Sequence, residues 1–342
     1  VVIDDGRSFE HSVKLQGGRF VEFTLASGFC LNPFSMIDAT RAEVDEDYRL
    51  DCFAMVKAII GQMARYSAPL NDTERGLIDK AVNEVWSAHG SAASVTAVGE
   101  ALAASDKPAA HDLATALAPF MHGGTYGAFF EGQASLEVGA PFIVYEMSDL
   151  AAREELRAVV LSAIMFMTSQ AMTRSDRSVK KLLLIDEAWS LLKGGSMGEF
   201  VETYARTCRK YGGALATATQ SLNDYYKSDG ATAALENSDW MLILQQKSET
   251  IADFKASKRL DMDDRSETLI RSLKRSGTDY SEVFIKGPET EAIGRLVLDP
   301  FSATLFSSSP GTFAAIEHEI ARGHQLADAI ERIAFPDTHT PD

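Results

Sequence analysis

Short apolar runs alternate with longer amphipathic stretches through the second half of the sequence, and this alternation constrains the fold more than any other feature. The clearest run, Lys181–Ile185, carries four large apolar residues, which is typical of a buried central strand. Strands that alternate with helices form mostly parallel sheets with helices on both faces, so we predict an α/β fold. The predicted strands are Pro141–Tyr145, Lys181–Ile185, Ala214–Thr219 and Trp240–Leu244, and the predicted helices are Ala152–Thr173, Phe200–Tyr211 and Thr232–Asn237.

The first part of the sequence predicts two strands followed by a purely helical region. Val1–Ile3 and Arg19–Thr24 have the composition of strands, whereas residues 39–121 repeat their apolar positions at helical spacing. Asn71 and Glu74 form a typical helix start within this region. We therefore predict an all-α lobe inserted into the α/β domain.

The last part of the sequence predicts a hairpin and two helices. Val283–Lys286 and Glu291–Val297 flank Gly287-Pro288, and the helices are Phe313–Arg322 and Leu326–Ile333. The expected division is residues 1–38 and 126–306 for the α/β domain, 39–125 for the lobe, and 307–342 for a C-terminal helical segment.

Two carboxylates follow the clearest strand. Asp186 and Glu187 come directly after Ile185, and open α/β sheets bind their ligands at the carboxyl ends of the strands. In a nucleotide hydrolase Asp186 would hold a magnesium-bound water and Glu187 would act as general base. The alternative is a core strand that ends in an ordinary acidic turn. Trp189, two residues further on, is interpreted as core packing.

The next predicted strand ends at Gln220. A glutamine beside the acidic pair is placed to sense a γ-phosphate or to orient water, and its alternative role is to cap the strand. The preceding helix carries Arg206, Arg209 and Lys210. These cations form either a solvated helix face or, in a ring-shaped ATPase, a contact to the nucleotide of a neighbouring subunit.

Composition describes an acidic globular protein. The formal net charge is −16, which disfavours a surface built mainly to bind nucleic-acid phosphates. The three cysteines lack metal-ligand or disulfide spacing and fit a reducing compartment. The most apolar run, Ala158–Met167, is short and lies close to charged residues, so we interpret it as a buried core helix.

The ordered motifs together resemble the VirB4/TraC ATPases of type IV secretion systems. The segments that carry the resemblance are Val2–Phe9, Gly17–Phe20, Leu31–Phe34, Leu182–Trp189, Arg206–Gly213 with Thr219–Ser221, and Gly294–Leu296 with Asp299-Pro300. They run in order through nearly the whole chain, to Ser307.

The resemblance implies a RecA-like fold that uses ATP and Mg²⁺ in a homo-hexamer. Such a motor would drive pilus assembly and substrate transfer with other type IV secretion components, in the cytoplasm at the bacterial inner membrane. By position, Asp186 and Glu187 match the Walker B pair, with Asp186 on Mg²⁺ through water, and Gln220 matches the sensor glutamine. Arg206, Arg209 and Arg295 are candidates for nucleotide contacts.

One family motif is absent from the sequence. No GxxxxGK[ST] phosphate-binding loop occurs, and the glycine-rich segments Gly123–Thr125 and Gly194–Gly198 contain no such lysine. In the family this loop lies just upstream of the strand with which the sequence begins, so we expect it in a preceding segment.

Two alternative functions remain open at this stage. A DNA-pumping hexamer of the coupling-protein or FtsK-like kind would require basic pore loops. Lys247, Lys255, Lys258 and Arg259 are candidates for such a loop, although DNA as a partner is not supported by the net charge. A scaffold that keeps the motor fold without hydrolysis is the other alternative.

Overall fold

A five-stranded parallel sheet forms the centre of the molecule. The computed structural model describes residues 1–136, 139–192, 197–256, 263–277 and 279–336. The strands are β1 (Val2–Asp4), β2 (Arg19–Glu22), β3 (Ile143–Glu146), β4 (Lys181–Ile185) and β5 (Gly213–Thr217). Their spatial order is β2-β3-β1-β4-β5, and every pairing is parallel, so the predicted mostly parallel sheet is confirmed.

The register aligns the carboxyl ends of the three central strands. Asp4 pairs with Glu146, and Ile3 pairs with Ile185, so Asp186 follows at the level of Asp4. Acidic residues from three separate parts of the sequence therefore meet at one edge of the sheet. This edge is where parallel sheets bind ligands.

Helices occupy the described residues between β2 and β3, as the sequence predicts. Asn71 and Glu74 form the predicted capping box at one of these helices. The lobe shares one hydrophobic core with the sheet, in which Val56 and Val82 join Ile3 and Ile185. The short helix α1 (Glu10–Leu15) precedes β2, and the lobe contains α2 (Ala39–Val44), α3 (Glu46–Ala64), α4 (Asp72–His89), α5 (Val95–Ala103) and α6 (Pro108–Leu117).

The central helix α7 (Glu154–Arg174) lies within this core. Every residue from Leu156 to Gln170 is buried, which explains why the sequence is apolar around the whole helix. Within the described residues, α7 is the single helix long and apolar enough to cross a membrane, and 89% of its most apolar window is buried inside the protein. The helix agrees with the predicted Ala152–Thr173 to within two residues at each end, and its burial agrees with a core helix.

Helices cover both faces of the sheet. α8 (Ala188–Leu191) and α9 (Met197–Lys210) follow β4, and α9 packs against α7 and β5. On the opposite face, Val13 of α1 packs against Val2 and Val144. This second face is open over β4 and β5, where the side chain of Leu182 is half exposed.

A second, antiparallel sheet corrects one sequence prediction. The strand expected near residues 240–244 does not join the parallel sheet; it pairs antiparallel with a later hairpin. The reason is a separate core, in which Ile243 packs with Phe284, Phe254 and Ile270. The hairpin itself is confirmed, with its turn at Pro288-Glu289. The elements of this region are α10 (Asp229–Glu236), β6 (Met241–Ile243), α11 (Ser248–Ala256), α12 (Asp264–Ser272), β7 (Arg275–Ser276), β8 (Tyr280–Gly287) and β9 (Thr290–Leu296).

Three C-terminal helices pack together, and the last two of them contact α1. They are α13 (Pro300–Leu305), α14 (Pro310–Ala321) and α15 (Leu326–Ala334), of which the last two agree with the sequence prediction. The buried imidazole of His11 lies 3.2 Å from Glu317 and stacks on Phe313, with 4.4 Å between ring centroids. The helices have a small core of their own around Ile316 and Ile330. The division of the chain into domains remains a prediction.

Candidate active site

The acidic pair lies at a sharp turn after β4. Glu187 adopts a left-handed backbone conformation, with φ 47° and ψ 40°, which costs a non-glycine residue about 1 kcal/mol or more. Hydrogen bonds compensate for this strain: the Ala188 amide donates to Ala218, and the Ser190 amide donates to Glu187, both at 2.9 Å. The turn directs the Glu187 side chain toward the end of β5.

Two donors hold the Glu187 carboxylate. Gln220 Nε2 donates to Oε1 at 2.5 Å, and Trp189 Nε1 donates to Oε2 at 2.9 Å. The structure therefore brings Glu187 and Gln220 together as the strand order predicts. Trp189 differs from its sequence interpretation, because it is half-buried and its indole nitrogen contacts the acidic pair instead of serving only as packing.

The loop that carries Gln220 is fixed by one buried carboxylate. Asp224 accepts hydrogen bonds from the Thr219 hydroxyl at 3.0 Å and from the Ser221 amide at 2.9 Å, on either side of Gln220. Lys227 forms an ion pair with Asp224 at 2.5 Å. The backbone around Gln220 is thus restrained while the Gln220 side chain is exposed.

Buried acidic residues that the sequence analysis missed lie beside Asp186. Burial, together with the negative charges of Glu146 and Asp186, raises the pKa of Asp4 to about 6. Glu146 is also buried, and it accepts hydrogen bonds from the backbone amides of Gly6 and Arg7. The available signal was the pair Asp4-Asp5 after an apolar strand, but only the strand order shows that this pair meets the β4 carboxylates.

Asp186 has the chemistry expected of a carboxylate that contacts hydrated Mg²⁺. Burial raises its pKa, and the charges of Glu187 and Asp5 act in the same direction, so a cation at this edge would be favoured. One Asp186 oxygen accepts from the Glu187 amide at 2.9 Å. No group of three His, Cys, Asp or Glu residues in the described ranges is arranged to hold a metal by itself. Mg²⁺ does not need such a group, because it keeps several waters and uses phosphate oxygens.

A single buried arginine offsets part of this negative charge. Arg157 of α7 forms an ion pair with Asp5 at 2.9 Å and donates to the Ser190 carbonyl at 3.3 Å. It therefore ties the end of β1 to the helix that follows Glu187. The sequence alone predicts no role for Arg157 in the site.

The structure separates the candidate arginines from the carboxylates of their own chain. Arg206 and Arg209 are exposed on α9, whose last turn leads into the amino end of β5. Glu187 and Gln220 follow the carboxyl ends of the strands, and a five-residue strand spans about 16 Å. Arg295 lies in the antiparallel sheet, where it donates to Glu282 at 2.9 Å and stacks over Tyr280.

A cleft of about 970 Å³ lies between the two sheets and reaches Gln220. β5 forms one wall, and it pairs only with β4 among the described strands. The walls are mostly apolar. They include Leu184, Ala214, Ala216, Ala218, Trp240 and Leu242.

These features together define the class of protein. A parallel sheet with an acidic pair after one of its inner strands, and a glutamine after the adjacent strand, is the arrangement of RecA-like P-loop NTPases. The sequence profile of the TraG P-loop domain family matches residues 1–297, so this chain belongs to that family, among the VirB4/TraC ATPases of type IV secretion systems.

Two curated relatives agree with this assignment. Protein TraC of Escherichia coli K12 is 26% identical over 353 aligned positions, which cover 98% of this chain and 39% of TraC. The type IV secretion system protein VirB4 of Bartonella quintana is 27% identical over 195 positions, which cover 56% of this chain and 24% of that protein. The chain therefore spans well under half the length of these relatives.

Solved structures share the fold. VirB4 of Thermoanaerobacter pseudethanolicus has a TM-score of 0.65 at 17% identity, over 91% of this chain and 82% of that structure. The plasmid coupling protein TrwB, in complex with the ATP analogue ADPNP, has a TM-score of 0.50 at 13% identity, over 87% and 84% of the two chains. The predicted RecA-like fold is thus confirmed.

Proposed function

We propose that this chain is the motor region of a type IV secretion ATPase, which hydrolyses ATP to drive pilus assembly and substrate transfer. The observation that carries the proposal is the hydrogen bond between Glu187 and Gln220 beside Asp186. This contact supports the proposal, because it brings the candidate base Glu187 and the candidate phosphate-sensing amide of Gln220 to the same edge of the sheet as Asp186.

Each of the three residues has a distinct role in this proposal. Glu187 takes a proton from the attacking water, and Asp186 holds a water of the Mg²⁺ shell. Gln220 exchanges its bond to Glu187 for a contact with the γ-phosphate. Mg²⁺, when bound with ATP, neutralises the charge that develops on the phosphate oxygens.

The proposal requires a phosphate-binding loop, which these 342 residues do not contain. The cleft beside β5 supplies a position for it, because a strand added in parallel at the free edge of β5 would end near Gln220. A helix after that loop would cover the apolar face that Leu184 and Ala216 expose. In that position the loop amides would face the phosphates next to Glu187.

The assembly we propose is a homo-hexamer in the cytoplasm, bound to the bacterial inner membrane through other type IV secretion components. A DNA-pumping function has less support, because Lys255 is neutralised by Asp264 and Glu267. Lys258 and Arg259, also candidates for a basic pore loop, lie outside the described residues. Salt-sensitive DNA binding by the assembled protein would favour the DNA-pumping alternative.

The test is ATP hydrolysis by the protein that carries this chain together with a phosphate-binding loop. Glu187→Gln should abolish most turnover and leave ATP binding intact, because only the base is altered. Glu202→Gln, on the exposed side of α9, is the matched control and should behave as wild type. If the wild-type protein neither bound nor hydrolysed ATP, the result would contradict the motor function and favour the scaffold alternative.

A further inference from the structure

A closed circuit of contacts surrounds the proposed base. Glu187 contacts Trp189 and Gln220 directly, and Asp224 holds the backbone on both sides of Gln220. Lys227 completes the circuit, because its ammonium pairs with Asp224 and lies 4.4 Å from the centre of the Trp189 ring. Five residues therefore form the circuit: Glu187, Trp189, Gln220, Asp224 and Lys227.

The two donors to Glu187 differ in how they are held. Trp189 is the second residue of α8, two positions after Glu187, and the Lys227 ammonium lies over its ring. Gln220 has an exposed side chain on a restrained backbone, so its amide can rotate away without moving the loop. When Gln220 leaves for a phosphate, Trp189 remains as a donor that orients the carboxylate.

We propose that Trp189 is a positioning residue for Glu187, and that Lys227 couples this position to the Gln220 loop through Asp224. This inference rests on the proposed ATPase function and adds two residues to it. Trp189 acts through Glu187 and has no contact with substrate in the scheme. The cation over the indole ring strengthens the circuit, because an ammonium is attracted to the face of a tryptophan.

Trp189→Phe removes the indole N–H but keeps an aromatic ring beneath Lys227, so it tests the hydrogen bond to Glu187 by itself. In the loop-containing protein, kcat should fall about 10- to 100-fold, the scale on which a misplaced catalytic group costs rate, while ATP affinity stays unchanged. Because the indole N–H contacts the base and not the nucleotide, the loss should appear in kcat while KM for ATP stays unchanged. A purely structural role for Trp189 would change ATP binding and the folded yield together with kcat.

Matched variants complete the test. Trp86→Phe, which changes a tryptophan of the helical lobe that packs on Phe53, should leave both kcat and KM as in wild type. Lys227→Met keeps a long side chain over the ring without the charge, and it should lower kcat in the same direction. Lys227 is exposed, so this variant is informative even where Trp189→Phe lowers the folded yield.

The outcomes separate this inference from the proposed function. If Glu187→Gln loses turnover while Trp189→Phe keeps the wild-type kcat, the role of Trp189 is overturned and the assignment of the base stands. Full turnover in Glu187→Gln would overturn the assignment of the base itself. Additive effects of Trp189→Phe and Lys227→Met in the double variant would overturn the coupling through Lys227.

Discussion

Gln220 and Glu187 are joined by a hydrogen bond of 2.5 Å although 33 positions separate them in the sequence. The bond exists because β4 and β5 are neighbours in register, with Ile185 opposite Thr217, so that both residues follow the same edge of the sheet. The left-handed turn at Glu187 then directs its carboxylate across to the neighbouring strand. In the proposed mechanism Glu187 is the base and Gln220 the phosphate-sensing amide, so the bond between them must break before the same atoms can contact the nucleotide.

Replacement of Gln220 by alanine should uncouple the two groups. Gln220→Ala removes both the donor to Glu187 and the proposed phosphate contact, and loss of one such donor typically costs about 100-fold in kcat. ATP affinity should change much less. Steady-state hydrolysis and nucleotide titration measure the two effects, with the exposed Gln16→Ala at the C-terminal end of α1 as control. Wild-type turnover in Gln220→Ala would remove Gln220 from the mechanism.

The sequence alone predicts the parts of the site that depend on local pattern. Four apolar residues before Asp186 indicate a buried strand, and the small-residue strand before Gln220 indicates its neighbour. Glu146 and Asp4 could not be predicted as partners of Asp186, because nothing local states which distant strands are adjacent. The contact of Trp189 with Glu187 depends on a left-handed backbone at a non-glycine residue, for which the sequence has no signal.

The second sheet shows that local sequence pattern also does not determine which strands pair in the fold. Trp240–Leu244 has the composition of a strand, and its position after a helix suggested another parallel strand. Its pairing is decided instead by Ile243, which shares a core with Phe284 from 41 positions later. Periodicity predicts that a strand exists, whereas long-range packing decides which sheet it joins.

The turn from α9 into β5 gives a prediction about stability. Gly212 has a φ of +71°, and a Cβ at this position would lie 2.6 Å from the Arg177 carbonyl oxygen. Gly212→Ala should therefore lower the free energy of unfolding by about 2–3 kcal/mol, from backbone strain together with the clash. Denaturant unfolding measures the change in the free energy of unfolding. Gly76→Ala is the control, because a Cβ at this helical position meets no neighbouring atom and alanine there should stabilise the protein. Equal effects of the two substitutions would contradict the strained turn.

The buried carboxylate of Asp4 gives a prediction about pH. Its pKa is about 6 in the folded protein and close to 3.8 in the unfolded chain, so between these values the folded state binds more protons. The contribution of Asp4 to stability is therefore present below about pH 4 and is lost as the pH rises through 6, by up to about 3 kcal/mol. Urea unfolding in EDTA from pH 4 to 7 should show a flatter pH dependence for Asp4→Asn than for wild type. The same slope in both proteins would contradict a raised pKa at Asp4.

The exposed arginines of α9 give a prediction about assembly. Arg209 lies at the opposite end of the strands from Glu187, and its contact within the chain is an exposed ion pair with Asp239 at 3.4 Å, which contributes little to stability. An arginine in this position can serve catalysis only at the site of a neighbouring subunit. Arg209→Ala should therefore lose turnover about 1000-fold in the assembled motor while it keeps its fold and its ATP binding.

Mixed assemblies test this role directly. Arg209→Ala subunits and Glu187→Gln subunits should each be inactive alone, but in a mixture an intact Glu187 can face an intact Arg209 across an interface and restore part of the activity. Arg206→Ala in the same mixture decides between the two arginines, and Lys210→Ala is the control for loss of charge in the last turn of α9. A mixture that stays inactive while its subunits co-assemble would show that Arg209 does not act across the interface, and full activity of Arg209→Ala alone would remove it from catalysis.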